Sequence, residues 1–190
     1  MDEGLVWGFI GYVLFPIWLL AGVLDYWLHQ RTNIAATAGP RESRLHLAQT
    51  LQVGIPVLIV LFLDLNLLTL SLLVAAAVAH TITSYWDIRY ASQRRTILPL
   101  EQVVHAFMLT LPIFVTALLL IMRWPTVQAP TAPGVGTGAW ELQWRDPPWE
   151  PGVIATVLVA SFLLGMLPAL AEYWQVRRAS SRPPAVSVQP

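Results

Sequence analysis

Five long apolar stretches, separated by short polar connections, set the pattern of this chain. Each approaches the ~20 apolar residues that a helix needs to cross a bilayer. The pattern predicts spanning helices at about 5–29, 41–63, 67–90, 99–124 and 153–178. Gly39-Pro40 marks the start of the second. Asp64-Leu65-Asn66 makes a tight polar connection to the third, and Pro99 opens the fourth. A loop over 125–152, rich in Pro, Gly and Trp, leads to the fifth. Residues 1–178 therefore read as one transmembrane domain, and 179–190 as a disordered tail. Pro16, Pro56, Pro112 and Pro168 fall inside spans, where membrane helices tolerate kinks. Met-Asp-Glu-Gly at the N-terminus has no basic region and no clear cleavage site. The first apolar segment thus reads as a retained helix, not a signal peptide. The fold class expected is all-α: an integral membrane bundle of five transmembrane helices.

Composition sharpens this picture. At 56% hydrophobic, the chain is too apolar for an ordinary soluble domain. Its formal net charge of zero gives no bulk attraction to nucleic acid, so membrane lipid is the expected surrounding partner. The absence of Cys excludes disulfides, thiolate ligands and cysteine-bound iron–sulfur clusters. All eleven basic residues are Arg, which hints at a GC-rich bacterial genome. Arg31, Arg41 and Arg44 flank the first connection, and Arg89, Arg94 and Arg95 the third. Arg177, Arg178 and Arg182 follow the fifth helix. The other side has Arg123 and Arg145 among the acids Asp2, Glu3, Glu141, Asp146 and Glu150. The positive-inside rule then predicts a bacterial cytoplasmic-membrane protein with its N-terminus outside and its C-terminus in the cytoplasm.

Every histidine lies near a carboxylate on one of the first four spans. Asp25 and His29, Glu42 and His46, and Glu101 and His105 are each four apart, and His80 and Asp87 are seven apart. Both spacings return to one helix face. Buried ionisable groups are costly in a bilayer and usually functional. In the predicted topology all eight groups converge on the cytoplasmic leaflet, and a four-residue spacing covers only ~6 Å of depth. Four carboxylates and four imidazoles suit two first-row metal ions, with iron favoured and zinc or manganese as alternatives. The expected ligands are Asp25, His29, Glu42, His46, His80, Asp87, Glu101 and His105, with Asp87 either a ligand or a hydrogen-bond partner to one.

A weak internal repeat supports this reading. Pro40-Arg-Glu42-Ser-Arg-Leu-His46 parallels Pro99-Leu-Glu101-Gln-Val-Val-His105, as if two similar hairpins faced each other. A second echo joins Asp25-Tyr-Trp, Ser84-Tyr-Trp and Glu172-Tyr-Trp, which reads as an interfacial aromatic belt. Glu172 itself is expected to pair with Arg177 or Arg178, and Asp64 to cap or turn the chain. Trp140, Trp144 and Trp149 are expected at the outer membrane interface. Gly134-Val-Gly136-Thr-Gly138 lies in the outer loop and is no dinucleotide fingerprint.

The ligand set resembles that of di-iron carboxylate helix bundles, although the soluble ferritin-like signature is Glu-x-x-His and here it is Asp/Glu-x-x-x-His. Asp25-Tyr-Trp-Leu-His29 is faintly similar to a segment of membrane fatty-acid hydroxylases and sterol desaturases, whose His-x-x-His-His motifs are absent. From Asp25 to His105 the chain also resembles a small group of uncharacterised bacterial membrane proteins. A carboxylate-rich dinuclear centre open to the inner leaflet suits redox metals, so an oxidoreductase is the class expected. The activity expected is oxidation by dioxygen of a lipid or other hydrophobic substrate, which enters near Tyr26, Trp27, Tyr85 and Trp86. Two alternatives stand beside it. One is a zinc or manganese hydrolase of a lipid phosphate, its headgroup held by Arg41, Arg44, Arg94 and Arg95. The other is a metal store, sensor or carrier.

Overall fold

Five helices long and apolar enough to cross a membrane make up the computed structural model, which describes residues 2–128 and 137–181. They are α1 (Glu3–Arg31), α2 (Pro40–Phe62), α3 (Leu67–Ser92), α4 (Pro99–Met122) and α5 (Pro151–Ser180). No β-strand occurs among the described residues. Residues 182–190 of the expected tail, and Gly134 and Gly136 of the loop, lie outside them.

Local chemistry accounts for the helix ends. Asp2 Oδ1 accepts the Gly4 N–H at 2.8 Å to cap α1. Pro40, Pro99 and Pro151 occupy the first helical position, where a missing N–H costs nothing. Asn66 and Thr69 exchange side-chain and backbone hydrogen bonds at the start of α3. Within α1 and α5, π-helical stretches at Ile10–Leu14 and Ser161–Met166 end just before Phe15-Pro16 and Leu167-Pro168. A proline ring crowds the carbonyl four residues back, and a wider turn relieves that crowding. Pro56 and Pro112 sit in helices that stay α.

The spans form a ring. α1 packs on α4, α4 on α3, α3 on α2, α2 on the C-terminal half of α5, and α5 back on α1. The two ends of the ring differ. At one end Val6, Ile59, Leu70, Leu73, Leu119 and Met122 make an apolar core. Residues 137–150 lie over that end: Asp64 N–H donates to the Gln143 carbonyl and Arg145 N–H to that of Phe62, both at 2.9 Å. Trp149 is part of this closure. Its Nε1–H donates to the Val60 carbonyl, and its ring packs edge-on against Trp7. Trp140 and Trp144 are exposed, as an interfacial position requires.

At the other end the first connection holds a one-turn helix, Ile34–Thr37, that the hydropathy pattern does not announce. Asn33 enters it with φ 52°, a left-handed conformation that Asn tolerates. Ile34 and Ala38 are buried against Val176, and the Tyr90 hydroxyl donates to the Ala38 carbonyl at 3.0 Å. This plug covers a polar interior. Lipid tails are as apolar as leucine, so burying leucine gives little drive for helix association in a membrane. Satisfying polar groups is worth more there, because each one unpaired in hydrocarbon costs several kcal/mol.

Candidate metal centre

The polar interior gathers side chains from all five helices. Asp25, His29, Glu42, Asp87, Glu101 and Glu172 are each no more than 6% exposed. Single helical turns deliver them. Glu42 and Glu101 are the third residues of α2 and α4, where the positive helix end favours a carboxylate. The histidines four residues later follow on the same face.

Two groups of ligand atoms result, and they adjoin at His29: Asp25, His29 and His105 in one, His29, Glu42 and His46 in the other. His105 Nε2 stands 3.0 Å from Asp25 Oδ1, and His29 Nε2 is 3.6 Å from that oxygen and 3.4 Å from Glu101 Oε1. His46 Nε2 is 3.1 Å from Asp87 Oδ2 and 4.0 Å from Glu42 Oε1. Ligands ~2.1 Å from a common metal stand ~3.0–3.5 Å apart, so most of these separations match edges of a coordination shell. His29 Nε2, Asp25 Oδ1 and Asp87 Oδ1 are buried without a hydrogen-bond partner. Buried polar atoms normally find one, and bound cations would supply it. The residues present therefore fit a metal.

His80 stands apart from both groups. Its Nε2 lies 3.3 Å from the Met108 carbonyl oxygen, deeper along α3 than Asp87 by seven residues. It does line a cavity of about 70 Å³ that the cluster also borders, through Asp25, His46, Asp87, His105 and Glu172. Tyr26 lines this cavity too. Trp27, Tyr85 and Trp86 are exposed on the outside of the bundle.

Two residues join the cluster that the sequence pattern assigns elsewhere. Glu172 does not pair with Arg177 or Arg178. Its Oε2 is 2.8 Å from His29 Nδ1 and its Oε1 2.7 Å from His46 Nδ1. α5 turns this position inward, with Val176 one turn on, while Arg177 turns out and lies over the Trp174 ring. The Asp/Ser/Glu-Tyr-Trp echo held the signal. Asp25, Ser84 and Glu172 are buried in the interior, and Trp27, Trp86 and Trp174 are exposed. An aromatic facing lipid implies that the polar residue two before it faces inward.

Arg95 is the other. Its side chain is 3% exposed, so it is not free to hold a headgroup. Its guanidinium bridges Glu42 and Glu101, with Nη2 2.6 Å from Glu42 Oε1 and Nη1 3.0 Å from Glu101 Oε2. Burial opposes this charge, but the hydrogen-bonded Glu101 and Glu42 outweigh it and hold the pKa above the usual arginine value. Arg41 and Arg94 are occupied otherwise, both lying over the Tyr90 ring.

No family model, curated protein or solved structure matches this chain.

Proposed function

We propose that this chain is a membrane-embedded dinuclear metalloprotein, and that it is a di-iron oxidoreductase acting with dioxygen on a lipid or other hydrophobic substrate. The observation that carries the reading is the buried cluster of carboxylates and imidazoles, in which His29 Nε2, Asp25 Oδ1 and Asp87 Oδ1 lack hydrogen-bond partners and His105 Nε2 stands 3.0 Å from Asp25 Oδ1. Charge supports the count of two ions. Five buried carboxylates (Asp25, Glu42, Asp87, Glu101 and Glu172) face one guanidinium, Arg95. The remaining four negative charges equal those of two divalent cations, and uncompensated charge is not tolerated in such a site.

In this reading His29, His105 and Asp25 hold one ion, with Glu101 beside it. His46 and Asp87 hold the other, with Glu42 beside it. Bound iron would supply the redox chemistry that dioxygen requires. The protein's own part is to keep the site dry, orient the ligands and admit small molecules. Arg95 and the Ile34–Thr37 turn close the end of the bundle. The cavity beside the ligands has room for a few molecules the size of water or dioxygen. At its polar wall Ser84 donates to Gln49 Oε1 at 3.0 Å, and Gln49 Nε2 to Asp87 Oδ2 at 3.2 Å. This chain fixes the Asp87 carboxylate toward His46. Arg31, Arg41, Arg44, Arg89 and Arg94 surround the same end, which supports a cytoplasmic-leaflet site in a bacterial inner membrane. A carrier is disfavoured by the apolar core that fills the opposite end.

Elemental analysis of the full chain, purified in detergent from iron-replete cells, tests the reading. Close to two iron ions per chain, with an iron-type near-ultraviolet band, is expected. Protein that stays metal-free after exposure to iron, zinc and manganese would overturn it.

A further inference from the structure

Glu172 touches both halves of the centre at once. His29 and His46 stack in parallel, with ring centroids 4.5 Å apart and planes 5° from parallel. Their Nδ1 atoms meet the two oxygens of one carboxylate, at 2.8 and 2.7 Å, on a residue that is 3% exposed. An ionised carboxylate only accepts hydrogen bonds, so each Nδ1 must carry the proton it donates. Two parallel rings anchored at Nδ1 on one group present their Nε2 atoms on the same side. Those are the atoms that face Asp25 and Glu101 from His29, and Asp87 and Glu42 from His46. Metals in a two-ion site stand ~3.5–4 Å apart, close to the stacking distance of these rings.

We propose that Glu172 is the positioning residue of the centre. It is no ligand, and it holds both histidines in the Nδ1-protonated form with Nε2 directed at the two metal positions. The proposal rests on the metal reading above. It makes α5 part of the site, and it explains why a helix with no buried residue from Pro151 to Met166 turns Glu172 into the ring. One carboxylate serving two imidazoles also means that one substitution disturbs both half-sites.

Glu172→Gln is the test. The side chain keeps its size, but one of its two terminal atoms becomes an NH₂ group that can only donate. It can satisfy one Nδ1–H and must confront the other. Nitrogen-15 spectra of the metal-free chain report the imidazole protons directly and need no metal. At a pH high enough that each ring carries a single proton, wild type should show that proton on Nδ1 in both His29 and His46, and Glu172→Gln should lose this in one of them. Zinc titration gives the second arm. Both zinc affinities should fall by ~10–100-fold in Glu172→Gln, with two ions still bound at saturation, as expected when an outer carboxylate is lost. Glu172→Asp, charged but one methylene shorter, should recover part of the affinity. His46→Ala, which removes a ligand, should bind one ion at saturation.

A wild-type spectrum with either Nδ1 unprotonated would overturn the proposal, as would unchanged zinc affinity in Glu172→Gln. Loss of a whole ion in that variant would make Glu172 a ligand and overturn it too. If wild type binds no zinc or any other first-row ion, the metal reading fails, and the spectra still decide whether Glu172 fixes the two rings. Should Glu172→Gln not fold, Glu172→Asp carries both arms.

Discussion

Removing Arg95 tests the electrostatic logic of the site end most directly. One guanidinium bonds two fully buried carboxylates, Glu42 and Glu101, each 0% exposed. Arg95→Ala deletes the counter-charge and leaves both acids in the bundle. Breaking a buried ion pair by removing one partner costs about 3–5 kcal/mol, most of it the penalty of the stranded charge. The two contacts share one cation, so their costs do not simply add. Each 1.4 kcal/mol is tenfold, so the unfolding equilibrium constant of the metal-free chain should rise by roughly two to four decades. Reversible unfolding in mixed micelles, followed by circular dichroism, measures this. Arg95→Lys should fall between wild type and Arg95→Ala, since a point charge cannot reproduce the two-sided fork. Adding Glu42→Gln and Glu101→Gln to Arg95→Ala should recover part of the loss, because no charge then remains unpaired. The loss should also shrink in metal-loaded protein, where the two glutamates gain another counter-charge. A shift below tenfold in metal-free Arg95→Ala would refute the reasoning and mean that water or protons already screen these carboxylates.

Three further outcomes follow from the geometry. His105→Ala should reduce metal content from about two ions to about one, by elemental analysis, because it strips the partner 3.0 Å from Asp25. His80→Ala should retain both ions, since its Nε2 is engaged at the Met108 carbonyl, seven residues deeper along α3 than Asp87; loss of an ion would restore it to the ligand set. Chelation should destabilise the loaded protein by about 4 kcal/mol for each ion lost if free metal is held near a thousand times its dissociation constant. Identical unfolding curves before and after verified metal removal would show that the folded chain does not hold the ions.

The sequence alone determined the helical architecture. Five apolar stretches of spanning length leave the backbone no other way to satisfy its hydrogen bonds in lipid, so helices were legible from composition and length. The i, i+4 spacing also made it legible that Asp25 with His29, Glu42 with His46, and Glu101 with His105 share helix faces. That rule acts within one helix and needs no tertiary information. Which helices meet, and which side chains pair across them, was decided only by the tertiary structure. His80 satisfied the same periodicity argument, yet it lies seven residues from Asp87 along α3 and bonds a backbone carbonyl instead. Glu172 has no histidine at helical spacing. Its partners, 143 and 126 residues away, become neighbours only because α5 closes the ring between α1 and α2. Arg95 sits in a connection that charge counting assigns to the membrane surface, and the chain folds its guanidinium inward where two glutamates stabilise the charge. Hydropathy records how apolar a segment is. The pairing of buried charges is a property of three-dimensional proximity, and it appears once the helices are assembled.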